Sequence, residues 1–275
     1  MKIALTGASG FIGRHVLKKL IEYDVEIIAL SKSQNNSDTY ACPHLKWCNI
    51  DLHQSLDKYY EVLGKPDVLI HLAWAGLPNY QSLHHFETEL PRQYDFLSNL
   101  IRDGLSNLIV LGTCFEYGMQ SGPLSVDMAS KPCNPYGYAK DALRKQLEYL
   151  KNSYHFHFTW GRLFYLYGEG QSEKSLFGSL NKAVKQGRNT FEMSGGEQLR
   201  DYLPVSKVAE IIVNYALNPK DYGIVNICSG KPVSVRSLVE GWIKDFGWNI
   251  QLELHKFPYP SHEPMAFWGV PNSTF

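Results

Sequence analysis

The fold is decided near the start of the chain, by residues 4–16, ALTGASGFIGRHV. A short apolar run ends at Thr6, and Gly7, Gly10 and Gly13 follow it before an amphipathic stretch begins. Glycines in such a turn let backbone N–H groups approach a phosphate and let the next helix pack close to the strand. The N-terminus of that helix adds a dipole that favours an anion. The stretch therefore predicts a strand–turn–helix unit that binds a pyrophosphate, in preference to a glycine turn that binds nothing.

Outward from this unit, apolar runs alternate with amphipathic stretches as far as about residue 168. The predicted strands are KIAL, VEIIAL, a weak one at LKWCNI, DVLIHLA, NLIVLGT and FHFTWGRLF. The predicted helices cover about Phe11–Tyr23, Leu56–Leu63, Phe86–Arg102 and Tyr136–Asn152. Continuous Val, Ile and Leu strands separated by helices are typical of a parallel sheet covered on both faces. We therefore predict an α/β fold, a doubly wound parallel sheet (Rossmann), over residues 1–168.

After Gly168 the pattern loosens, with Gly and Ser clusters (GEGQSEKS, MSGGEQ) between helical pieces. This change predicts a smaller C-terminal lobe over residues 169–275, in which a substrate would bind. An apolar helical stretch, YLPVSKVAEIIVNYAL, interrupts the loose pattern, so residues 203–228 are expected to return to the first domain.

Composition limits the partners and the compartment. The chain of 275 residues has 27 basic and 27 acidic side chains, and this balance argues against nucleic acid or an anionic membrane as a partner. The five cysteines are odd in number and lack a CxxC pair, which favours a reducing compartment. The ten histidines show no ligand spacing, so no metal site is expected. Without a long apolar run or a signal-peptide pattern, the expected location is cytoplasmic.

If the unit binds a nicotinamide dinucleotide, as strand–turn–helix units of this kind commonly do, the end of the second predicted strand decides between NAD and NADP. An Asp or Glu there would accept hydrogen bonds from the ribose 2′-hydroxyl and repel a 2′-phosphate. This chain has Ser31, Lys32 and Ser33 instead, and Arg14 follows the third glycine of the turn. Hydroxyls and cations favour a phosphate, so we predict NADP(H). The alternative is that Lys32 and Arg14 are solvated surface charges.

One tyrosine has a lysine four residues later: Tyr136, with Lys140. Pro135 precedes Tyr136 and suits the first position of a helix, and residues at i and i+4 share one helix face. A nearby ammonium group lowers the pKa of a phenol because it stabilises the phenolate. The pair is therefore a candidate for proton transfer.

Several stretches of the chain resemble motifs of the extended short-chain dehydrogenase/reductase family, in its nucleotide-sugar branch. The glycine turn, HLAW, YGYAK, GRLFYLYGEG and RDYLPVSKV stand where the family has its glycine loop, HLAA, Tyr-x-x-x-Lys, RPxNVYGPG and RDFVYVDDV. The resemblance covers nearly the whole chain. It implies an NAD(P)-dependent oxidoreductase that acts on a nucleotide-diphosphate sugar, and a homodimer.

The resemblance also implies roles for individual residues. Tyr136 becomes the general acid/base, Lys140 also holds the nicotinamide ribose, and Thr113 hydrogen-bonds the reacting oxygen; a helix cap is the alternative for Thr113. The implied dinucleotide contacts are Gly7, Gly10, Phe11, Ile12, Gly13, Arg14, Ser31, Lys32, Asp51, Leu52, Leu72, Ala73, Trp74, Lys140 and Phe164. The implied substrate contacts are Thr113, Cys114, Phe115, Tyr165 and Arg200. For Arg200 a structural salt bridge is the alternative.

The residues after Thr113 differ from those that similar enzymes use to eliminate water or to epimerise. Similar dehydratases carry a carboxyl pair there, whereas this chain has Cys114 and Phe115. Similar epimerase-reductases have an acid/base Cys at the place of Phe115, and Glu116 is expected to be a supporting or surface carboxylate. The family's Asn is replaced by Tyr165, so the substrate contact there is in doubt. The resemblance therefore implies an NADPH-dependent reductase of the 4-keto group of a nucleotide-diphosphate 4-keto-6-deoxysugar. A nucleotide-sugar 4-epimerase and a non-catalytic NADP(H)-binding regulatory protein remain as alternatives.

Overall fold

The computed structural model describes residues 1–32, 42–52, 54, 58–259 and 263–272. Ser33 and Leu56 therefore lie outside the described residues. The strands are Lys2–Thr6 (β1), Glu26–Ser31 (β2), Leu45–Asn49 (β3), Val68–His71 (β4), Asn107–Thr113 (β5), Gly122–Leu124 (β6), His157–Leu163 (β7), Tyr165–Tyr167 (β8), Thr190–Glu192 (β9), Leu199–Arg200 (β10), Tyr202–Pro204 (β11), Gly223–Ile227 (β12), Val233–Ser234 (β13), Gln251–Glu253 (β14) and Phe267–Gly269 (β15). The α-helices are Phe11–Leu20 (α1), Tyr59–Val62 (α2), Leu90–Arg102 (α3), Pro135–Leu150 (α4), Leu176–Lys185 (α5), Val205–Leu217 (α6) and Val235–Asp245 (α7).

The largest sheet has seven strands in the order β12-β7-β5-β4-β1-β2-β3. Strands β7, β5, β4, β1, β2 and β3 pair in parallel with their neighbours. The chain builds outward from β1 in one direction through β2 and β3, and in the other from β4. This reversal of strand order between β1 and β4 is the switch point at which doubly wound sheets bind ligands. The predicted α/β fold with a parallel Rossmann sheet is confirmed.

The central strands are buried on both faces, which explains why they read as continuous apolar runs. Every residue of β4 is buried, and in β1 only Lys2 is partly exposed. Between the strands and α3 and α4 lies a core whose largest members include Tyr59, Phe96, Phe158 and Trp160. Apolar burial of this extent is the main stabilising contribution to such a domain.

The predicted helix at Phe86–Arg102 begins differently in the structure. A π-helical turn at His85–Glu89 precedes α3, and Pro91 stands in the first turn of α3. Proline has no N–H to donate to the residue four positions earlier, so the regular hydrogen-bond pattern starts only after it. This wide turn brings His85 and Glu89 into buried positions that a regular helical pattern does not reveal.

The chain divides into two compact units. The first unit contains Met1–Gly118, Ala129–Leu163 and Ser206–Val225, and the second contains Met119–Met128, Phe164–Val205 and Asn226–Phe275. The second unit has its own apolar core, in which Phe177 and Trp242 contact each other, and its strands form two-stranded pairs. That this unit binds the substrate stays a prediction. No helix in the described part of the chain has both the length and the apolar character that crossing a membrane requires.

Candidate active site

The glycine turn after β1 is shaped by close backbone contacts. The N–H of Gly10 donates to the carbonyl of Gly7 at 2.9 Å, and Gly7 has a φ of +68°. A Cβ added at Gly7 would lie 2.9 Å from the backbone nitrogen of Ala73, and one at Gly13 would clash with the carbonyl oxygen of Gly7. Side chains are therefore excluded at Gly7 and Gly13, which leaves the backbone there open to a phosphate.

A pocket of about 290 Å³ lies over the carboxyl ends of β1, β2 and β4 in the first unit. Seven of the predicted dinucleotide contacts line it: Gly7, Gly10, Ser31, Lys32, Leu52, Ala73 and Trp74. Residues that the sequence analysis missed line it as well: Thr6, Ser9, Leu30, Ile50, Ala75, Glu89 and Gln93. Its glycine floor and apolar walls have the chemistry that a dinucleotide requires: the turn would hold the pyrophosphate, and the aliphatic side chains would hold the adenine.

The remaining predicted dinucleotide contacts do not line this pocket. They are Phe11, Ile12, Gly13, Arg14, Asp51, Leu72, Lys140 and Phe164. Arg14 is exposed on α1, and Phe164 is buried in the second unit.

Thr6, at the end of β1, fixes the pocket wall. Its hydroxyl accepts hydrogen bonds from the N–H groups of Leu72 and Ala73, at 3.1 and 3.2 Å. The same hydroxyl lies 3.0 Å from Nδ1 of His71. Burial lowers the pKa of His71 to about 3, so its ring is neutral. Because the Thr6 hydroxyl already accepts two hydrogen bonds, it donates its own to Nδ1 of His71. A hydroxyl at a strand end beside the glycine turn was the sequence signal for this contact.

Lys32 is already paired. Its ammonium group lies 3.0 Å from the Asp51 carboxylate, and its side chain is more than half exposed. The Ser31 hydroxyl donates to Ser9 at 3.4 Å. Two predicted dinucleotide contacts, Lys32 and Asp51, thus contact each other at the rim of the pocket.

The predicted catalytic residues come from two elements of the first unit. Thr113 ends β5, whereas Tyr136 and Lys140 occupy the first turns of α4, whose N-terminus is capped by the Asn134 side chain. The Thr113 hydroxyl accepts from the N–H of Phe115 at 3.3 Å and is hydrogen-bonded to the Tyr136 phenol. Thr113 therefore caps the 3₁₀ turn at Cys114–Tyr117, which is the alternative expected for it, and it also contacts Tyr136. Its hydrogen bond to a substrate oxygen stays a prediction.

The ionisation of Tyr136 differs from the expected one. Burial raises the pKa of its phenol above the ordinary value, Tyr80 and Glu116 act in the same direction, and only the hydrogen bond with Thr113 opposes them. The expectation that Lys140 lowers the pKa of Tyr136 is therefore contradicted. The reason is that Lys140 is itself buried, which lowers its own pKa to about 7, so its ammonium form is only partly populated at neutral pH.

Aromatic rings surround Tyr136. The ring centres of His85, Tyr80, Trp74 and Phe115 lie 5.2, 5.4, 6.1 and 6.4 Å from its own. Phe115 also contacts Tyr80 at 4.9 Å, and Cys114 is buried beside it. Tyr80 and His85 were missed because they lie in an irregular segment before α3, where no period predicts which side chain faces inward.

Glu116 is buried, so its interpretation as a surface carboxylate is wrong. It accepts hydrogen bonds from the Thr113 N–H at 2.9 Å, from the Trp160 indole at 2.9 Å and from Arg162 at 2.7 Å. The absence of a side chain at Gly112 provides space for this carboxylate, since a Cβ there would clash with it. Glu116 therefore fixes the strand end that carries Thr113, as the expectation of a supporting carboxylate has it.

The two predicted substrate contacts of the second unit share one carboxylate. The Tyr165 hydroxyl donates to Glu263 at 2.6 Å, and Arg200 donates to the other oxygen of Glu263 at 3.0 Å. Arg200 is buried, with its guanidinium 4.5 Å from the centre of the Phe267 ring. The salt-bridge alternative for Arg200 thus describes its present contacts, and its contact with a substrate stays a prediction. Across the described ranges, no cluster of side chains fits a metal ion.

Comparison with known proteins shows that this chain is similar to dinucleotide-dependent enzymes. A family model described as "NAD dependent epimerase/dehydratase family" matches residues 3–228. The dTDP-6-deoxy-L-talose 4-dehydrogenase (NAD(+)) of Aggregatibacter actinomycetemcomitans is 29% identical over 271 residues, which cover 98% of this chain and 100% of the relative. The dTDP-4-dehydro-6-deoxyglucose reductase of Escherichia coli is 23% identical, over 86% of this chain and 79% of its own.

A solved structure shares the fold. The UDP-N-acetylglucosamine 4-epimerase from Methanobrevibacter ruminantium M1 superposes with a TM-score of 0.82, at 22% identity, over 96% of this chain and 88% of the epimerase. At this identity the likeness concerns the fold alone.

Proposed function

The chain belongs to the NAD-dependent epimerase/dehydratase family, and on this premise we propose that it reduces the 4-keto group of a nucleotide-diphosphate 4-keto-6-deoxysugar. The observation that carries the proposal is the buried Tyr136 phenol, hydrogen-bonded to Thr113 and held protonated by its surroundings. The relatives support the position of the reaction, because their names describe a 4-dehydrogenase and a reductase of a 4-dehydro sugar, both 6-deoxysugars.

Each catalytic residue has a defined task. A bound nicotinamide dinucleotide supplies the hydride for a reduction. Tyr136 donates the phenolic proton to the oxygen at C4, and the Thr113 hydroxyl holds that oxygen and the phenol in one hydrogen-bonded group. Burial raises the pKa of the Tyr136 phenol, so the phenol is protonated at neutral pH and available as the proton donor for a reduction. An oxidation at C4 would use the same group as its base, so the two directions share this site.

Elimination of water is disfavoured by what surrounds Thr113. Cys114 and Phe115 offer no carboxyl pair, and the Glu116 carboxylate is bound by Arg162, Trp160 and the Thr113 amide. These residues can therefore support hydride and proton transfer at one carbon. They do not offer a general base that would remove a proton from a neighbouring carbon.

Turnover in deuterated water tests the proposed reaction. With unlabelled NADPH in D₂O, we expect one dinucleotide consumed per 4-keto-6-deoxysugar nucleotide and, by NMR of the product, no deuterium at C3 or C5. Deuterium at either carbon would mean enolisation and would contradict a simple reductase. Interconversion of C4 epimers without added dinucleotide would favour the epimerase, and dinucleotide binding without turnover of any nucleotide sugar would favour a regulatory protein.

For the dinucleotide we propose NADP(H). Strand β2 ends at Ser31 and Lys32 follows it, so no carboxylate stands at this strand end, and both residues line the pocket. Lys32 forms an exposed ion pair with Asp51 at 3.0 Å, and such a pair contributes only about 0–1 kcal/mol. Binding of NADP(H) requires Lys32 to leave this pair for a 2′-phosphate and to outweigh the repulsion of that phosphate by Asp51.

Replacing Lys32 by Ala should lower the kcat/KM for NADPH about tenfold or more and leave that for NADH nearly unchanged, because only the phosphate contact is lost. The matched control is Lys46→Ala, which removes an exposed lysine of the neighbouring strand outside the pocket. Steady-state kinetics with both dinucleotides measure the ratio. Equal kcat/KM values for the two dinucleotides in the unmodified protein would exclude the NADP(H) preference.

A further inference from the structure

Trp74 contacts both members of the Tyr136/Lys140 pair. The Lys140 ammonium nitrogen lies 4.0 Å from the centre of the Trp74 ring, and it donates to the Leu111 carbonyl at 2.9 Å. The indole ring meets the Tyr136 ring edge to face, with centres 6.1 Å apart. An indole face attracts a cation most strongly when both are shielded from water, and Lys140 is only 3% exposed.

His85 in turn fixes the orientation of Trp74. The indole N–H donates to Nδ1 of His85 at 3.1 Å, and the opposite ring nitrogen of His85 lies 2.8 Å from the carbonyl oxygen of Asn79. His85 is fully buried, and burial lowers the pKa of its imidazole, which keeps the ring neutral. A neutral ring that accepts at Nδ1 donates at Nε2, so both of its contacts are satisfied and the indole is held at a fixed angle.

We propose that Trp74 and His85 are positioning residues for Lys140: His85 orients the indole, and the indole face fixes the Lys140 amino group and stabilises its ammonium form. This inference rests on the role of Lys140 in the proposed function. It concerns residues of this chain alone, since Trp74 stands where the motif that it resembles has Ala.

The charge of Lys140 depends on every group that faces it. The groups that interact with it are His71 on β4, His85 and Glu89 on the turn before α3, and Glu116 after β5. Tyr136 lies one turn earlier on the same helix, α4. Burial lowers the pKa of Lys140 to about 7, and the two carboxylates act against this lowering. Both histidines are neutral near pH 7, and the carboxylates remain when Trp74 is changed. Removing the indole therefore takes away one support of the ammonium form and leaves the others in place.

The test is the pH dependence of dinucleotide binding, measured by calorimetry with NADPH and NADH without any sugar. Binding should weaken as Lys140 loses its proton, with an alkaline midpoint. Trp74→Leu should move this midpoint about one pH unit lower, because the cation–π contact favours the charged form. Trp248→Leu, which removes an indole from the core of the second unit, should leave it unchanged. Trp74→Phe keeps a ring face and should give a smaller shift.

Two variants of His85 separate orientation from space filling. His85→Asn keeps an acceptor near the position of Nδ1 for the indole, whereas His85→Gln places its amide toward Asn79 and leaves the indole without that acceptor. We expect a clearly larger shift of the midpoint for His85→Gln. Unchanged midpoints in Trp74→Leu and His85→Gln at native melting temperature, or no alkaline midpoint in the unmodified protein, would overturn the proposal. The binding measurement contains no sugar, so its outcome does not depend on whether the protein reduces a nucleotide sugar. A failure of the proposed function can therefore be told apart from a failure of this inference.

Discussion

Tyr136→Phe should lower kcat by about 10²–10⁴, the range that general acid catalysis contributes, while the Kd for the dinucleotide changes no more than a few-fold. The change removes one hydroxyl from a buried ring, so the contacts of that ring with Trp74, Tyr80 and His85 remain. Rapid-mixing kinetics with saturating NADPH and a 4-keto-6-deoxysugar nucleotide measure the chemical step, and calorimetry measures binding.

The matched control is Tyr149→Phe on the same helix, where the side chain is 75% exposed and should tolerate the loss of its hydroxyl. If Tyr136→Phe kept most of its kcat, Tyr136 would not be the proton donor. A loss of dinucleotide binding equal to the loss of kcat would point instead to a collapse of the pocket.

Glu116→Ala should lower the free energy of unfolding by about 3–5 kcal/mol, because it leaves the Arg162 guanidinium buried without its carboxylate. The same change leaves the Thr113 N–H and the Trp160 indole without an acceptor. Urea denaturation followed by fluorescence measures the difference through the midpoint at a constant slope.

The comparison variant is Glu210→Ala, which breaks an exposed pair with Lys207 and should change stability by about 0.5 kcal/mol or less. Glu116→Leu combined with Arg162→Met should recover much of the loss, since apolar residues of similar volume often replace a buried ion pair without cost. A loss below about 1 kcal/mol for Glu116→Ala would contradict the buried ion pair.

The fold was predictable because its signals are local. The glycine turn lies between β1 and α1, and each central strand coincides with a short apolar run of the sequence. The Tyr136/Lys140 pair was predictable for the same reason, since a proline before Tyr136 marks a helix start and four residues make one turn. Domain organisation was harder, because residues 119–128 belong to the second unit although no change of composition marks them.

The electrostatics of the site were not predictable, because they depend on residues far apart in the chain. Glu116 is a buried ion-pair partner only because Trp160 and Arg162 meet it from 44 and 46 residues away. The raised pKa of Tyr136 follows from burial, to which rings from the irregular segment before α3 contribute. A sequence pattern predicts that a lysine shares a helix face with a tyrosine, but not that the lysine itself is desolvated.

Each of the two units is built from three separate stretches of the chain, and this affects the order in which their parts become available during synthesis. The chain passes from one unit to the other after residues 118, 128, 163, 205 and 225, so no single cut releases either unit whole. During synthesis at about 5–20 residues per second, the β7 partner of β5 ends 50 residues after β5 itself, a delay of about 2–10 s. Until β7 has been made, a sheet formed from the earlier strands would have an unpaired apolar edge at β5, the kind of edge that attracts other strands. We therefore expect the chain to be most prone to wrong strand pairing during this interval.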